Sequence, residues 1–181
     1  METVKNVSAA KPKTGGAIWI APEGSTLPTD ASTELDVAFK CLGFISDDGL
    51  TNSNAPEADD IKAWGGKTVY TVQTDRSDTF QSTLIESMNE DVLKFVYGDA
   101  NVTVSDGKVT VKAGSSDLGT HAFVIEVAMA NGAMKRIVIP MGKLTDLGDI
   151  SYKDDELVGY EVTITALPDN AGYNHYEYIT K

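Results

Sequence analysis

The sequence predicts a mainly β protein: a β-sandwich or barrel-like domain with one flanking α-helix at about 87–97 and a long loop at about 46–66. Three observations carry this expectation. Apolar and polar residues alternate with period two through most apolar segments, the pattern of a strand with one buried face. Two dipeptides of hairpin-turn type, Asp106-Gly107 and Asn131-Gly132, stand between such segments. Only one stretch combines helical spacing with a start and a stop signal.

Taken in order, residues 1–15 mix Lys, Ser, Ala, Pro and Gly without periodicity and read as a flexible arm, basic at Lys5, Lys11 and Lys13. Residues 16–181 then form a single domain. Gly16–Ala21 is a short strand stopped by Pro22-Glu23-Gly24, and Asp36–Ile45 alternates as a second strand. From Ser46 to Gly66 apolar residues thin out. This long loop holds Asp47, Asp48, Glu57, Asp59 and Asp60, with Ile61, Ala63 and Trp64 as its apolar exceptions. Two readings of that apolar cluster stand side by side: it sits in a partner's groove, or Trp64 folds back on the domain's own core.

Lys67–Asp75 is a clear alternating strand, expected to pair with Asp78–Glu86 across Asp75-Arg76-Ser77. Ser87 and Glu90 form an S-x-x-E capping box, in which hydroxyl and carboxylate each satisfy a free backbone N–H. Met88, Val92, Phe95 and Val96 follow at helical spacing, and Gly98 supplies the stop. The second half is all strands: 102–105 and 108–112 around Asp106-Gly107, then 121–130 and 133–141 around Asn131-Gly132. Pro140 suits a strand end or an edge. Residues 146–156 form a second acidic loop with a brief strand at 150–152. Strands at 156–167 and 173–179 close the chain.

Composition narrows the function. Acids outnumber bases 27 to 15, for a formal charge of −12. Sequence-specific nucleic-acid binding needs the opposite balance, because Lys and Arg must replace counterions on the phosphates. The single cysteine, Cys41, excludes an internal disulfide and lies in an apolar run that suits a buried, inert thiol. The N-terminus lacks a signal-peptide apolar stretch, and no run reaches the roughly 18–20 apolar residues of a membrane helix. Synthesis in a cytoplasm without export is the expectation.

The search for chemistry returns failures with specific causes. Gly66-Lys67-Thr68 ends like a phosphate loop, but Ile61 stands where the first glycine belongs, and the segment opens a strand instead of a helix. His121 and His175 lie far apart and in no metal-binding spacing. The pairs Asp47-Asp48, Asp59-Asp60 and Asp154-Asp155 lack the alternating carboxylates of a calcium loop. No catalytic residue, metal site or cofactor is expected. One positive feature remains: Phe123-Val124-Ile125 and Ile137-Val138-Ile139 are apolar on both strand faces, which points to cover by another subunit or by the helix.

Five segments stand in order along the chain: Gly16–Pro28 (GAIWIAPEGSTLP), Leu42–Leu50 (LGFISDDGL), Ile61–Val69 (IKAWGGKTV), Glu86–Gly98 (ESMNEDVLKFVYG) and Gly159–Ala166 (GYEVTITA). Together they resemble the major tail-tube proteins of long-tailed, siphovirus-type phages and prophages of Gram-positive bacteria. The resemblance implies a sandwich with a side helix, and subunits joined edge to edge into hexameric rings that stack into a tube through which DNA passes on ejection. It also implies a virion-tail location after synthesis in the host bacterial cytoplasm, and tape-measure, tail-terminator and distal-tail proteins as partners. On this reading Lys11, Lys13, Asp47, Asp48, Asp59, Asp60, Ile61, Trp64, Lys135 and Arg136 are the candidate inter-subunit contacts, basic groups of one ring meeting acidic loops of the next. The alternatives are another virion component of the same fold, such as a tail terminator or a contractile-device tube, and a surface-displayed β-sandwich binding module.

Overall fold

The computed structural model describes residues 7–13, 16–130 and 132–180. Its strands are β1 (Ala10–Pro12), β2 (Ile18–Pro22), β3 (Lys40–Cys41), β4 (Ile45–Ser53), β5 (Pro56–Lys62), β6 (Thr68–Arg76), β7 (Thr79–Leu84), β8 (Val102–Ser105), β9 (Lys108–Val111), β10 (His121–Met129), β11 (Met134–Leu147), β12 (Tyr160–Leu167) and β13 (Tyr176–Ile179). The helix α1 spans Glu90–Tyr97. The main sheet runs β3-β2-β10-β11-β12-β7-β4, with β1 added beside β10 and β13 beside β11. Its path is open at both ends, so the described residues form an antiparallel, sandwich-like fold and no closed barrel.

The long central strands β10 and β11 organise everything else. On its outer flank β10 takes β2 along 121–125 and then β1 along 127–129. Similarly, β11 takes β13 along 135–138 and β12 along 141–147. The changeover on β11 falls at Pro140. There Pro140 and Met141 together face Ala122, a β-bulge in which the missing proline N–H leaves no ladder bond unmade.

Alternation along these strands divides the interior into two cores. Ile18, Ile20, Phe123, Ile125, Ile137 and Ile139 face the larger one, which β7, β12 and α1 close with Phe80, Leu84, Val162, Ile164, Val92 and Phe95. Phe95 and Phe123 meet edge to face at 5.4 Å. On the opposite face Ala21, Ala122, Val124 and Val138 meet Phe39, Leu27 and Leu35 from the segment after β2, and Tyr176 and Tyr178 from β13. The apolar residues on both faces of β10 and β11 are therefore covered within the chain: the helix covers one side, but the 22–39 segment replaces the expected neighbouring subunit on the other. Each large side chain so buried is worth about 1.5–3 kcal/mol.

Local chemistry explains where the structure departs from the sequence reading. The helix starts at Asn89, not Ser87: the Asn89 side chain accepts from the Asp91 N–H at 3.0 Å, and the Ser87–Glu90 box does not form. Glu86 selects this start, because its carboxylate accepts from both the Asn89 amide group and the Phe44 N–H, each at 2.9 Å. Met88 consequently lies in solvent. Gly98 ends the helix as expected, its N–H donating to the Lys94 carbonyl at 2.8 Å. The strand expected over 36–45 shrinks to Lys40–Cys41, because the Asp36 carboxylate accepts from the Ala38 N–H at 2.9 Å and folds the chain into a turn. Cys41 is half-buried.

The Asp106-Gly107 hairpin forms as read, with φ of 51° and 74° at its two turn residues. The second hairpin closes through a longer turn than Asn131-Gly132 alone. Met129 N–H donates to the Ala133 carbonyl and Gly132 N–H to the Met129 carbonyl, with Gly132 at φ 85°; Asn131 itself lies outside the described residues. The loop expected over 46–66 is mostly strand, as β4 and β5. No strand forms at 150–152, where Ile150 instead packs against the larger core. At the C-terminus the Asp169 carboxylate accepts from the Tyr176 hydroxyl at 2.7 Å, which pushes the phenol up to about 12 and fixes the entry to β13.

One buried ion pair ties four segments together. Glu126 on β10 faces Arg136 on β11, and they are 2% and 3% exposed. The Arg136 Nε donates to Glu126 Oε1 at 3.1 Å, and Lys13 reaches the other carboxylate oxygen at 2.6 Å. The Arg136 Nη1 donates to the carbonyls of Asp30 and Thr33, both at 2.9 Å. That turn is itself held by Asp30, whose carboxyl the Thr33 hydroxyl and amide, then the Ser32 amide, keep well below the usual carboxylate range.

Two stability outcomes follow from these contacts. R136M should cost about 3–5 kcal/mol in denaturant unfolding, because it leaves a buried carboxylate with the half-exposed Lys13 as its one cation, while E126L/R136M together should recover most of the loss. G142A should cost about 1–3 kcal/mol by the same measurement, since its new methyl would sit 2.6 Å from the Phe123 ring and 3.0 Å from Ile164.

Candidate assembly interface

Strands β4 to β7 form one continuous hairpin. In its proximal half Leu50–Ser53 pair with Thr79–Ser82, and Ile45 with Leu84. In its distal half Pro56 pairs with Arg76 and the ladder continues to Lys62 and Thr68. The proximal half belongs to the sheet because β7 alternates Phe80, Ser82 and Leu84 inward with Gln81 outward. The distal half, β5 and β6, forms its own two-stranded sheet and is almost wholly exposed. Sequence explains the division: Glu57, Asp59, Asp60, Thr71, Gln73 and Asp75 make the arm mostly polar, and its one short apolar stripe, Ile61, Tyr70 and Val72, is too small to draw it onto the core. The distal half projects as an arm of about 23 Å at ~3.3 Å per residue.

Both ends of the arm are well built. At the root, buried Asp78 accepts from the Asn52 amide group at 2.8 Å and lies 2.5 Å from His175 Nδ1, while Arg76 Nε donates to Asn54 at 2.6 Å. Along the arm, Thr71 donates to Asp60 across the strands at 2.7 Å. At the tip the Ala63 N–H donates to the Lys67 carbonyl at 2.8 Å, with Gly65 and Gly66 at φ 99° and 84°. Trp64 stands on this turn with its full surface in solvent, at 106% of its reference exposure. Ile61 and Tyr70, cross-strand partners just below it, are 52% and 64% exposed. Trp64, Ile61 and Tyr70 together make an exposed apolar patch at the end of an otherwise polar arm.

The sequence-derived candidates separate into three places. Asp59, Asp60, Ile61 and Trp64 lie on the arm. Asp47 and Asp48 lie in a bulge of β4, between the Ile45–Leu84 and Leu50–Ser82 pairs, and share the lining of a 570 Å³ groove with Lys11 on β1 and Lys135 on β11. The remaining two turn inward, with Arg136 buried against Glu126 and Lys13 reaching the same carboxylate from a half-exposed position. Lys135 pairs with Glu177 at 2.6 Å. Residues 10–12, placed by sequence in the arm that begins the chain, form β1 on the main sheet.

Some exposed apolar residues escaped the sequence reading. Val104, Val109 and Val111 lie on one face of the β8–β9 hairpin, 36–44% exposed, where alternation alone implies a buried face. Tyr152 and Leu157 project from the acidic loop before β12 at 76% exposure each. The histidines sit in structural surroundings. His121 lies edge-on to Phe95 and Phe123, and burial pushes its pKa down. His175 packs edge-on to Phe80 beside Asp78. Among the described residues no three His, Cys, Asp or Glu side chains converge as metal ligands, and no helix is long and apolar enough to cross a membrane.

No curated protein matches the chain. A family model described as phage tail tube protein matches residues 6–181, nearly the whole length. Such proteins are structural components of the virion tail. The chain belongs to the phage tail tube protein family.

Proposed function

We propose that this chain is the repeating subunit of a tail tube, assembling into hexameric rings that stack around a channel for DNA. The family match across residues 6–181 carries the reading, and the projecting arm with its bare tryptophan supports it. Edge strands of the open sheet, β4 above all, would pair with neighbours within a ring, removing exposed backbone groups by closure. The arm, with Asp59, Asp60, Ile61 and Trp64, would reach a neighbouring subunit or ring. The groove bearing Lys11, Asp47, Asp48 and Lys135 would receive contacts. Lys13 and Arg136 act inside the subunit, holding Glu126.

The acid excess fits a conduit. With a formal charge of −12, a channel lined by carboxylates would repel phosphates and let DNA slide without binding. Synthesis in the host bacterial cytoplasm, and contact with tape-measure, tail-terminator and distal-tail proteins at the tube's length and ends, complete the proposal.

Negative-stain microscopy of the purified chain over a range of concentration and salt should show rings or tubes. Particles that stay monomeric throughout would overturn the assembly reading. Replacing residues 56–76 by a short glycine turn should leave a folded protein, because the root pair of Ser53 and Thr79 can close a hairpin unaided, and that protein should not form tubes. Tubes of normal length from it would remove the arm from assembly.

A further inference from the structure

We propose that the Trp64 tip of one copy seats in the groove between β1, the β10–β11 end of the sheet and the β4 bulge of the next copy. The inference rests on the self-assembly reading and names the two surfaces that meet. The tip combines an indole with two cations: Lys62 and Lys67 flank Trp64 on the closing turn, and neither has an ion-pair partner among the described residues. The groove offers the complement. Its floor is apolar, with Leu50, Ile125, Val127 and Ile137, and its β4 rim carries Asp47 and Asp48.

The charges around the groove are segregated, not uniform. Glu177 is paired with Lys135, and Glu126 with both Lys13 and Arg136; with Lys11 these groups sum to +2 and balance Asp47 and Asp48 overall, so the pull on a cationic tip is local to the β4 rim. At 570 Å³ the groove has room for an indole, whose burial removes about 150–250 Å² from water. The occupant must come from a second copy. The ladder of β5 and β6 pairs carries each tip away from the sheet edge where its own groove lies. Two different surfaces then meet at each junction, a head-to-tail contact that continues into a closed ring or an extended stack instead of ending at a dimer.

The test is a charge exchange on the full-length protein, read by microscopy and sedimentation. W64A should raise the concentration needed for assembly by about thirtyfold or more, the scale of a central tryptophan contact. D47K/D48K and K62E/K67E should each fail to assemble alone at wild-type concentration. Mixed one to one they should form mixed polymers, as each tip then finds a groove of opposite sign, and the fourfold variant should assemble by itself. Unfolding curves matching wild type establish that the variants fold. Normal polymers from W64A, or two charge variants that assemble alone or fail to complement, would overturn the docking while leaving self-assembly intact. A wild-type chain that never assembles would overturn both.

Discussion

The Glu126–Arg136 pair is the constraint on which the rest of the subunit depends. Two charges removed from water on adjacent strands are tolerable only if every donor and acceptor around them is matched. The match recruits Lys13 from the chain's beginning and the carbonyls of Asp30 and Thr33 from the long segment after β2. That segment then lies over Val124 and Val138 and gives the sheet its second core. A single polar contact thereby fixes the register of β10 on β11, the course of the 22–39 segment and the seat of the first strand. An apolar pair at the same site would bury as much surface without choosing where those segments lie.

Much of the fold was legible because it obeys short-range rules. The strand expected at 156–167 forms over Tyr160–Leu167 and buries Tyr160, Val162, Ile164 and Ala166, the Asp106-Gly107 turn forms as read, and Gly98 ends the helix. The failures have different causes, long-range, local and compositional. Glu86, anchored on Phe44, moved the helix start from Ser87 to Asn89. Asp36 bent a segment that alternates like a strand. The stretch from Ser46 to Gly66 looked structureless because its strands bury little, and strand prediction from pattern depends on burial.

The candidate contact residues show the same division. Trp64 and Ile61 stood out because apolar residues in an acidic stretch have few reasons to be there, and the structure leaves both in solvent. Arg136 was indistinguishable from Lys135 in sequence, since their separation depends on which way adjacent residues of one strand point. The groove could not be read at all. It brings β1, β4, β10, β11 and β13 together, and nothing local to any of them announces it.

The continuity of the hairpin from Ile45 to Leu84 has a mechanical consequence. A load applied at the Trp64 turn is carried down both strands of the arm into β4 and β7, along the strand direction. There it acts on the ladders with β12 and between the two strands in shear, so hydrogen bonds resist together instead of parting one at a time. The Asp78, Asn52 and His175 cluster lies where the load enters the sheet, acting as a rivet at the root of the beam. A projecting strand pair of this kind stretches little before its anchorage does, so its tip keeps a fixed bearing on the sheet under load.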